Sequence, residues 1–300
     1  MQSPKTETPP LPKFHRQRFL LAFLQMAGGC LSKLDFQKLL FLAHQKAEVF
    51  YYDFVPYKFG CYSFHAQSDI ELLEMTGWLE TADKTIKMKT YYESDSQPET
   101  LKELMREFSD VRGRELIKYV YKYYPYYATR SQMAEDIMDK ESFETIQETK
   151  AQMQFDSSML FTIGYEGITF ENYVNKLMKN NVKLLCDVRK NPISRKFGFS
   201  KGIMSRLLPK FGIVYLHIGE LGIPTEMRTK LETKEDYNRL FNIYTESLLY
   251  KKDYLQKIAN LIREYNRVAL TCFEKHAENC HRHCISDFLE TANGTGVEHL

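Results

Sequence analysis

From about Leu160 to Leu300, short apolar runs alternate with longer amphipathic segments, and this alternation constrains the fold more than any other feature of the sequence. Apolar runs of this length are typical of strands buried on both faces of a sheet. The predicted strands are Leu160–Gly164, Val182–Val188, Ile213–Ile218, Arg267–Phe273 and Val297–Leu300. The predicted helices are Phe170–Asn180, Lys201–Phe211, Lys234–Leu249, Asp253–Tyr265 and Cys280–Ala292. This order predicts a Rossmann-like α/β domain with a mostly parallel sheet, whose strands end at one common edge.

The first half of the chain is predicted to be mainly helical. Helices are expected at Arg16–Ala27, at Lys33–Phe50 with Ser32 as N-cap, and at Ala66–Met75, followed by a strand at Ile86–Tyr92. Helix, glycine turn, two helices and a strand is the order of a winged helix-turn-helix domain. The proline-rich residues 1–13 are predicted to be a disordered arm, residues 14–155 a winged-helix-like domain and residues 156–300 the α/β domain.

A short motif in the first half also weakly resembles a known domain. Residues 36–42, FQKLLFL, followed by residues 57–63, YKFGCYS, resemble the N-terminal part of Panacea-type antitoxin domains. The resemblance implies a protein partner, whereas a winged helix implies DNA. A helical domain that only packs on its neighbour remains a third interpretation.

Composition limits the setting in which the protein works. Six cysteines in 300 residues do not make a disulfide framework. The N-terminal residues lack an apolar signal core, and the longest apolar stretches are too short to cross a bilayer. We therefore expect a soluble, cytoplasmic protein without a membrane partner.

Polar side chains follow the predicted strands where each strand ends, which is where ligands bind in open parallel sheets. These residues are Tyr165 after the first strand, Asp187, Arg189, Ser194 and Arg195 after the second, His217 after the third, and Glu274, Cys280, His281 and Arg282 after the fourth. Buried strands that end in charged groups are costly unless those groups have partners or a ligand. The structural alternative is an ion-pair network, such as Asp187 with Arg282.

The segment from Arg189 to Lys210 holds seven basic residues and no acidic one, which suits phosphate groups. We assign substrate or phosphate binding to Tyr165, Arg189, Ser194, Arg195, Lys201, His217 and Arg282. The catalytic candidates are Asp187, Glu274, Cys280 and His281.

The same residues resemble domain-of-unknown-function family 488 over nearly the whole second domain. The resemblance rests on six ordered motifs: residues 162–167 (TIGYEG), 187–195 (DVRKNPISR), 198–201 (GFSK), 215–222 (YLHIGELG), 272–282 (CFEKHAENCHR) and 297–300 (VEHL). It implies a compact Rossmann-like unit and supplies no established reaction.

Three chemical interpretations of the strand edge stay open. Asp187 and Glu274 can act as acid and base at a glycosidic or phosphodiester bond beside a bound phosphate. Alternatively, Cys280 is a nucleophile whose thiol is activated by the start of a helix and by Arg282. The third interpretation is Zn or Fe bound by Cys272, His276, Cys280 and Cys284, although no cofactor is predicted outright.

The first interpretation predicts a hydrolase acting on a nucleotide or nucleic acid, in which the N-terminal domain guides the substrate or a protein partner. The alternative is a non-catalytic regulatory module that senses nucleic acid or a phosphorylated ligand in the same pocket. A metal-binding protein is the third alternative.

Overall fold

In the computed structural model, the chain forms two compact units that divide between Gln152 and Met153. The structure describes residues 9–94, 96–155, 157–228 and 231–300. The first eight residues of the predicted disordered arm lie outside the described residues. Of the rest of that arm, Pro10 accepts a hydrogen bond from the indole Nε1 of Trp78 at 3.0 Å. Among the described residues, none of the helices is both long enough and apolar enough to traverse a lipid bilayer.

The first unit consists of helices around two small antiparallel sheets. Its helices are α1 (His15–Met26), α2 (Lys33–Lys46), α3 (Phe64–Met75), α4 (Glu99–Glu107), α5 (Gly113–Tyr123), α6 (Ala134–Ile137) and α7 (Lys140–Ala151). Its strands are β1 (Cys30–Ser32), β2 (Val55–Tyr57), β3 (Gly60–Tyr62), β4 (Leu79–Thr81) and β5 (Thr85–Met88). The strand order in the larger sheet is β1-β5-β4, and β2 pairs with β3 as a hairpin.

The start of α2 follows the sequence prediction. The Ser32 hydroxyl accepts a hydrogen bond from the backbone N–H of Asp35 at 2.9 Å, which satisfies one donor at the helix start. Phe36, Leu40 and neighbouring apolar side chains of α2 are buried in the core of this unit. The helix ends at Lys46, earlier than predicted, and Glu48 takes a positive φ of 54°.

The second unit is a parallel α/β sandwich. Its strands are β6 (Met159–Gly164), β7 (Leu184–Asp187), β8 (Val214–His217), β9 (Arg267–Cys272) and β10 (Val297–His299). Its helices are α8 (Phe170–Lys179), α9 (Lys201–Leu207), α10 (Lys234–Leu248), α11 (Lys252–Tyr265) and α12 (Arg282–Asn293). The predicted helix Lys201–Phe211 is α9 followed by a 3-10 turn at Leu208–Phe211, because Pro209 lacks the N–H that an α-helix interior requires.

All five strands of the second unit are parallel, in the order β10-β6-β9-β7-β8. The register pairs Gly164 with Cys272, and it pairs Asp187 with both Thr271 and His217. The carboxyl ends of β6, β9, β7 and β8 therefore meet at one edge of the sheet. The predicted parallel α/β fold, with helices in the N-terminal half, is confirmed, and the edge carries the residues considered next.

Candidate functional site at the sheet edge

A pocket of about 460 Å³ opens at the carboxyl edge of the parallel sheet, and we call it the edge pocket. The residues that line it are Tyr165, Arg189, Lys190, Asn191, Ile193, Ser194, Arg195, Ile223, Cys272, Phe273 and Glu274. They come from the ends of β6, β7 and β9 and from the segments that follow β7 and β8. The edge pocket thus lies where ligands bind in parallel α/β sheets.

Asp187 and Arg189 form a buried ion pair at the end of β7. Asp187 Oδ1 accepts from Arg189 Nε at 2.8 Å, and Oδ2 accepts from Arg189 Nη2 at 2.5 Å. The Tyr215 hydroxyl donates to the same Oδ2 at 2.7 Å, and the Arg189 N–H donates to Oδ1 at 3.1 Å. The Asp187 side chain has no exposed surface. Both of its oxygens are therefore already used within the protein.

The rest of the Arg189 guanidinium is also occupied. Its Nη1 donates to the Tyr165 hydroxyl at 2.8 Å and to the Phe199 carbonyl at 2.9 Å. Burial alone would lower the pKa of Arg189, but the hydrogen bonds and charge of Asp187 raise it. Arg189 therefore stays charged and forms part of the pocket wall, where it aligns the Tyr165 ring that stacks on Phe199 with centroids 4.3 Å apart.

Arg282 has a different partner from the one considered in the sequence. Its side chain is 1% exposed and donates to the backbone carbonyls of Glu274 at 2.6 Å and Lys275 at 2.9 Å. It does not pair with Asp187, whose cation is Arg189. Because a guanidinium can donate to several carbonyls at once, Arg282 holds the turn after β9 in place.

A close backbone approach fixes the same turn from the other side. A Cβ atom at Gly164 would lie 1.8 Å from the carbonyl oxygen of Glu274, so a side chain cannot be accommodated there. The N–H groups of Tyr165 and Glu166 both donate to the carbonyl of Phe273, at 3.1 and 2.9 Å. Together these contacts set Phe273 and Glu274 in the wall of the edge pocket.

Glu274 is the one carboxylate among the described residues that line the edge pocket. Burial raises its pKa, and the neighbouring Cys280 raises it further. Its Oε2 accepts from the Cys272 thiol at 3.4 Å. The carboxyl group thus lies between the open pocket and a set of buried thiols.

Three buried side chains meet beside Glu274, and of these only Cys272 also lines the edge pocket. Cys272 Sγ lies 3.7 Å and Cys280 Sγ 3.8 Å from His281 Nδ1, and all three residues are at most 2% exposed. We call these residues the thiol–imidazole cluster. Burial alone would raise the pKa of Cys280, but hydrogen bonds with Cys272 and His281 lower it well below its usual value. The hydrogen bond with Cys280 and burial raise the pKa of Cys272.

The other cysteine and histidine considered as metal ligands in the sequence lie outside the cluster. His276 is exposed, with its nearest acidic atom, on Glu278, 3.9 Å away. The Cys284 thiol lies 3.4 Å from His283 Nε2, on α12. The predicted helix Cys280–Ala292 would place Cys280 and Cys284 one turn apart, but α12 begins at Arg282 and Cys280 has extended backbone, with φ at −141°.

Hydrogen bonds hold the backbone of the basic segment after β7, and Arg195 in this segment is exposed. The Ser200 hydroxyl donates to the Ser194 carbonyl at 2.8 Å, and the Ser194 hydroxyl accepts from the N–H of Lys196 at 3.1 Å. Lys196 Nζ donates a hydrogen bond to the carbonyl of Tyr165 at 2.8 Å. Arg195 is exposed and lines the edge pocket.

Two of the predicted phosphate-binding residues form a separate pair. Lys201 Nζ donates to His217 Nδ1 at 3.2 Å, and His217 Nε2 donates to the carbonyl of Arg189 at 2.8 Å. Neither residue lines the edge pocket. The hydrogen bond from His217 to the carbonyl of Arg189 instead stabilises the backbone of the basic segment.

The predicted site residues therefore fall into three groups. Tyr165, Arg189, Ser194, Arg195 and Glu274 line the edge pocket, whereas Cys280 and His281 lie behind it and Asp187, Lys201, His217 and Arg282 support the surrounding backbone. Sequence reasoning missed the pocket residues Lys190, Asn191, Ile193, Ile223 and Phe273, and it considered Cys272 only as a metal ligand. Position in the sequence could have indicated three of them, because Lys190, Ile193 and Phe273 directly adjoin predicted site residues.

The comparisons with known proteins concern the second unit. Residues 169–289 match the model of a family described as domain of unknown function DUF488. The resemblance seen in the sequence is thereby confirmed for the C-terminal half. Neither the comparison with curated proteins nor that with solved structures returned a match.

Proposed function

We propose that the second unit is an enzyme that binds a nucleotide or nucleic acid in the edge pocket and acts on a glycosidic or phosphodiester bond. The observation that carries this proposal is the composition of one pocket. It combines cations that lack an acidic partner, an exposed aromatic ring and a carboxylate at the carboxyl edge of a parallel sheet.

Lys190 and Arg195 supply the phosphate-binding charge. Among the described residues, neither forms an ion pair with a carboxylate within 4.0 Å. Lys251 lies near Lys190, since burial and then the charge of Lys190 lower the pKa of Lys251. Cations held near one another without a counter-charge repel, and a phosphate relieves that repulsion.

Phe273 supplies a surface for the base. Its ring is 45% exposed in the pocket wall and meets Tyr165 edge-on, with centroids 5.3 Å apart. Because Tyr165 is itself stacked on Phe199, this wall is rigid. An exposed ring beside phosphate-binding cations is the arrangement that proteins use to stack nucleic-acid bases.

Glu274 is the residue that transfers the proton. It is the one described carboxylate in the pocket lining, and Arg282 fixes its backbone. Asp187 acts through Arg189 as a positioning residue, since both of its oxygens are occupied. Cys280 does not act as a nucleophile in this proposal, because it is buried behind the pocket wall. All six cysteines are free, which suits a protein that works in the reducing cytoplasm.

Replacing Arg195 with alanine tests the phosphate contact. Loss of one charged hydrogen-bond donor costs about 1.5–3 kcal/mol, so affinity for a single-stranded oligonucleotide should fall by roughly 10- to 100-fold. The logarithmic salt dependence of binding should lose about 0.7 in slope for each contact removed. Fluorescence anisotropy with a labelled oligonucleotide at several salt concentrations measures both quantities.

Arg263→Ala is the matched control, because Arg263 is an exposed arginine near the end of α11, at the opposite edge of the sheet. It should leave affinity and salt slope unchanged. Equal losses in the two variants, or none in Arg195→Ala, would remove the support for phosphate binding in the edge pocket.

A regulatory module that binds without catalysis is the second candidate, and the first unit favours it. The order α1, β1, α2, α3, β4, β5 and the antiparallel order β1-β5-β4 support a winged-helix-like domain with a β2–β3 hairpin inserted. However, α3, which would enter a DNA groove, carries Asp69, Glu71 and Glu74 and no lysine or arginine. We infer that this unit contacts a protein partner rather than the DNA backbone.

A further inference from the structure

The thiol–imidazole cluster has the geometry of a metal-binding site. Its three ligand atoms, the sulfurs of Cys272 and Cys280 and Nδ1 of His281, lie within 4.8 Å of one another. With Zn–S bonds of about 2.3 Å and Zn–N bonds of about 2.1 Å, a tetrahedral ion would place sulfur and nitrogen about 3.6 Å apart. The two observed sulfur–nitrogen distances, 3.7 and 3.8 Å, match this value closely.

The orientation of His281 is a second, independent observation. Its Nε2 lies 3.1 Å from the carbonyl oxygen of Val188, and a carbonyl can only accept a hydrogen bond, so Nε2 carries the proton. In a neutral ring, Nδ1 then presents its lone pair to the two sulfur atoms. Histidine ligands of metals are usually held in this way, with the second ring nitrogen donating to a carbonyl or carboxylate.

We propose that the thiol–imidazole cluster is a zinc site whose protein ligands are Cys272 Sγ, Cys280 Sγ and His281 Nδ1. Thiolate and imidazole ligands in a tetrahedral arrangement are the combination that Zn²⁺ prefers. The three ligands come from the end of β9 and from the turn before α12, so the ion would join these two segments.

Charge balance favours the ion over the empty cluster. Zn²⁺ bound by two thiolates and a neutral imidazole forms a unit without net charge. A neutral unit can be buried at low cost, whereas a lone buried thiolate or imidazolium is costly. Ordinary core packing of the two cysteines would require neither the convergence on Nδ1 nor the proton on Nε2.

Three protein ligands leave a fourth coordination position, as in catalytic zinc sites. Cys272 and Glu274 line the edge pocket, whereas Cys280 and His281 do not. The Glu274 Oε2 atom lies 3.4 Å from Cys272 Sγ. The fourth position is therefore on the pocket side, within reach of a bound ligand or a water molecule beside Glu274.

Metal titration of the full chain, purified without a histidine tag and treated with a chelator, tests the site. We expect one Zn²⁺ bound per chain and a higher urea midpoint with excess Zn²⁺. Substitution with Co²⁺ should give the intense thiolate-to-cobalt absorption of a tetrahedral dithiolate site. Binding below one ion per chain, or a cobalt spectrum without this absorption, would overturn the proposal.

Variants identify the ligands. Cys280→Ser and His281→Asn should each weaken Zn²⁺ binding by at least roughly 100-fold, since even changes beyond the ligands cost up to that factor. Cys284→Ser is the control, because this buried cysteine lies outside the cluster. The affinity of this variant for Zn²⁺ should equal that of the wild type. Equal losses in Cys280→Ser and Cys284→Ser would refute the assignment. The zinc proposal and the nucleotide proposal fail separately, since one is read from bound metal and the other from oligonucleotide affinity.

Discussion

Asp187→Asn will lower the free energy of unfolding of the second unit by about 3–5 kcal/mol. Asp187 is fully buried and is the only described carboxylate that pairs with Arg189. The asparagine amide keeps the size of the side chain, but it removes the negative charge and turns a donor toward the guanidinium. The cost arises because Arg189 is left charged in a buried position. Urea denaturation followed by far-UV circular dichroism measures the change.

Tyr215→Phe is the control for this prediction. It removes one hydrogen bond to Asp187 and leaves the ion pair intact, so it should cost only about 1 kcal/mol. Replacing both partners, with Asp187→Leu and Arg189→Met, should recover part of the stability that Asp187→Asn loses, since no buried charge remains. If Asp187→Asn lowers the free energy of unfolding no more than Tyr215→Phe does, the buried ion pair does not stabilise the backbone around the edge pocket as described.

Glu274→Gln should lower turnover of a nucleotide or nucleic-acid substrate by about 100- to 10,000-fold, the usual contribution of a general acid or base. Binding should change little, because glutamine has the same shape and the proposed phosphate contacts are made by Lys190 and Arg195. A screen of end-labelled single-stranded DNA and RNA and of free nucleotides, read out as strand cleavage or base release, supplies the substrate.

Glu278→Gln is the matched control, since Glu278 is an exposed glutamate in the same loop and does not line the pocket. Substrate turnover by the Glu278→Gln variant should equal that of the wild type. Tight binding without turnover of any substrate in the screen would favour the regulatory module over the enzyme. Full activity in Glu274→Gln would exclude this residue as the acid or base.

The fold of the second unit could be predicted because its central strands β6, β7 and β9 are apolar runs that are buried on both faces. β6 and β9, for example, are buried along almost their whole length. The edge that carries the site follows from parallel topology alone. The first unit was harder, since its strands are three or four residues long and alternate too briefly to give a period. The β2–β3 hairpin was not predicted from the sequence.

The ion pairs between side chains at the sheet edge could not be predicted, because several charged residues follow the same strands. The sequence analysis considered an ion pair of Asp187 with Arg282, whereas the backbone after β7 brings Arg189 to Asp187. The path of the turn between Phe273 and Cys280 likewise decides which histidine meets the thiols. It brings His281 to Cys272 and leaves His276 exposed.

The structure of the protein with a bound nucleoside 5′-monophosphate is the most direct test of the central claim, that the edge pocket is a nucleotide site. The phosphate should lie about 3 Å from the side-chain nitrogens of Lys190 or Arg195, and the base should stack on the ring of Phe273. A nucleotide bound at another surface, with the edge pocket vacant at saturating concentration, would contradict the claim.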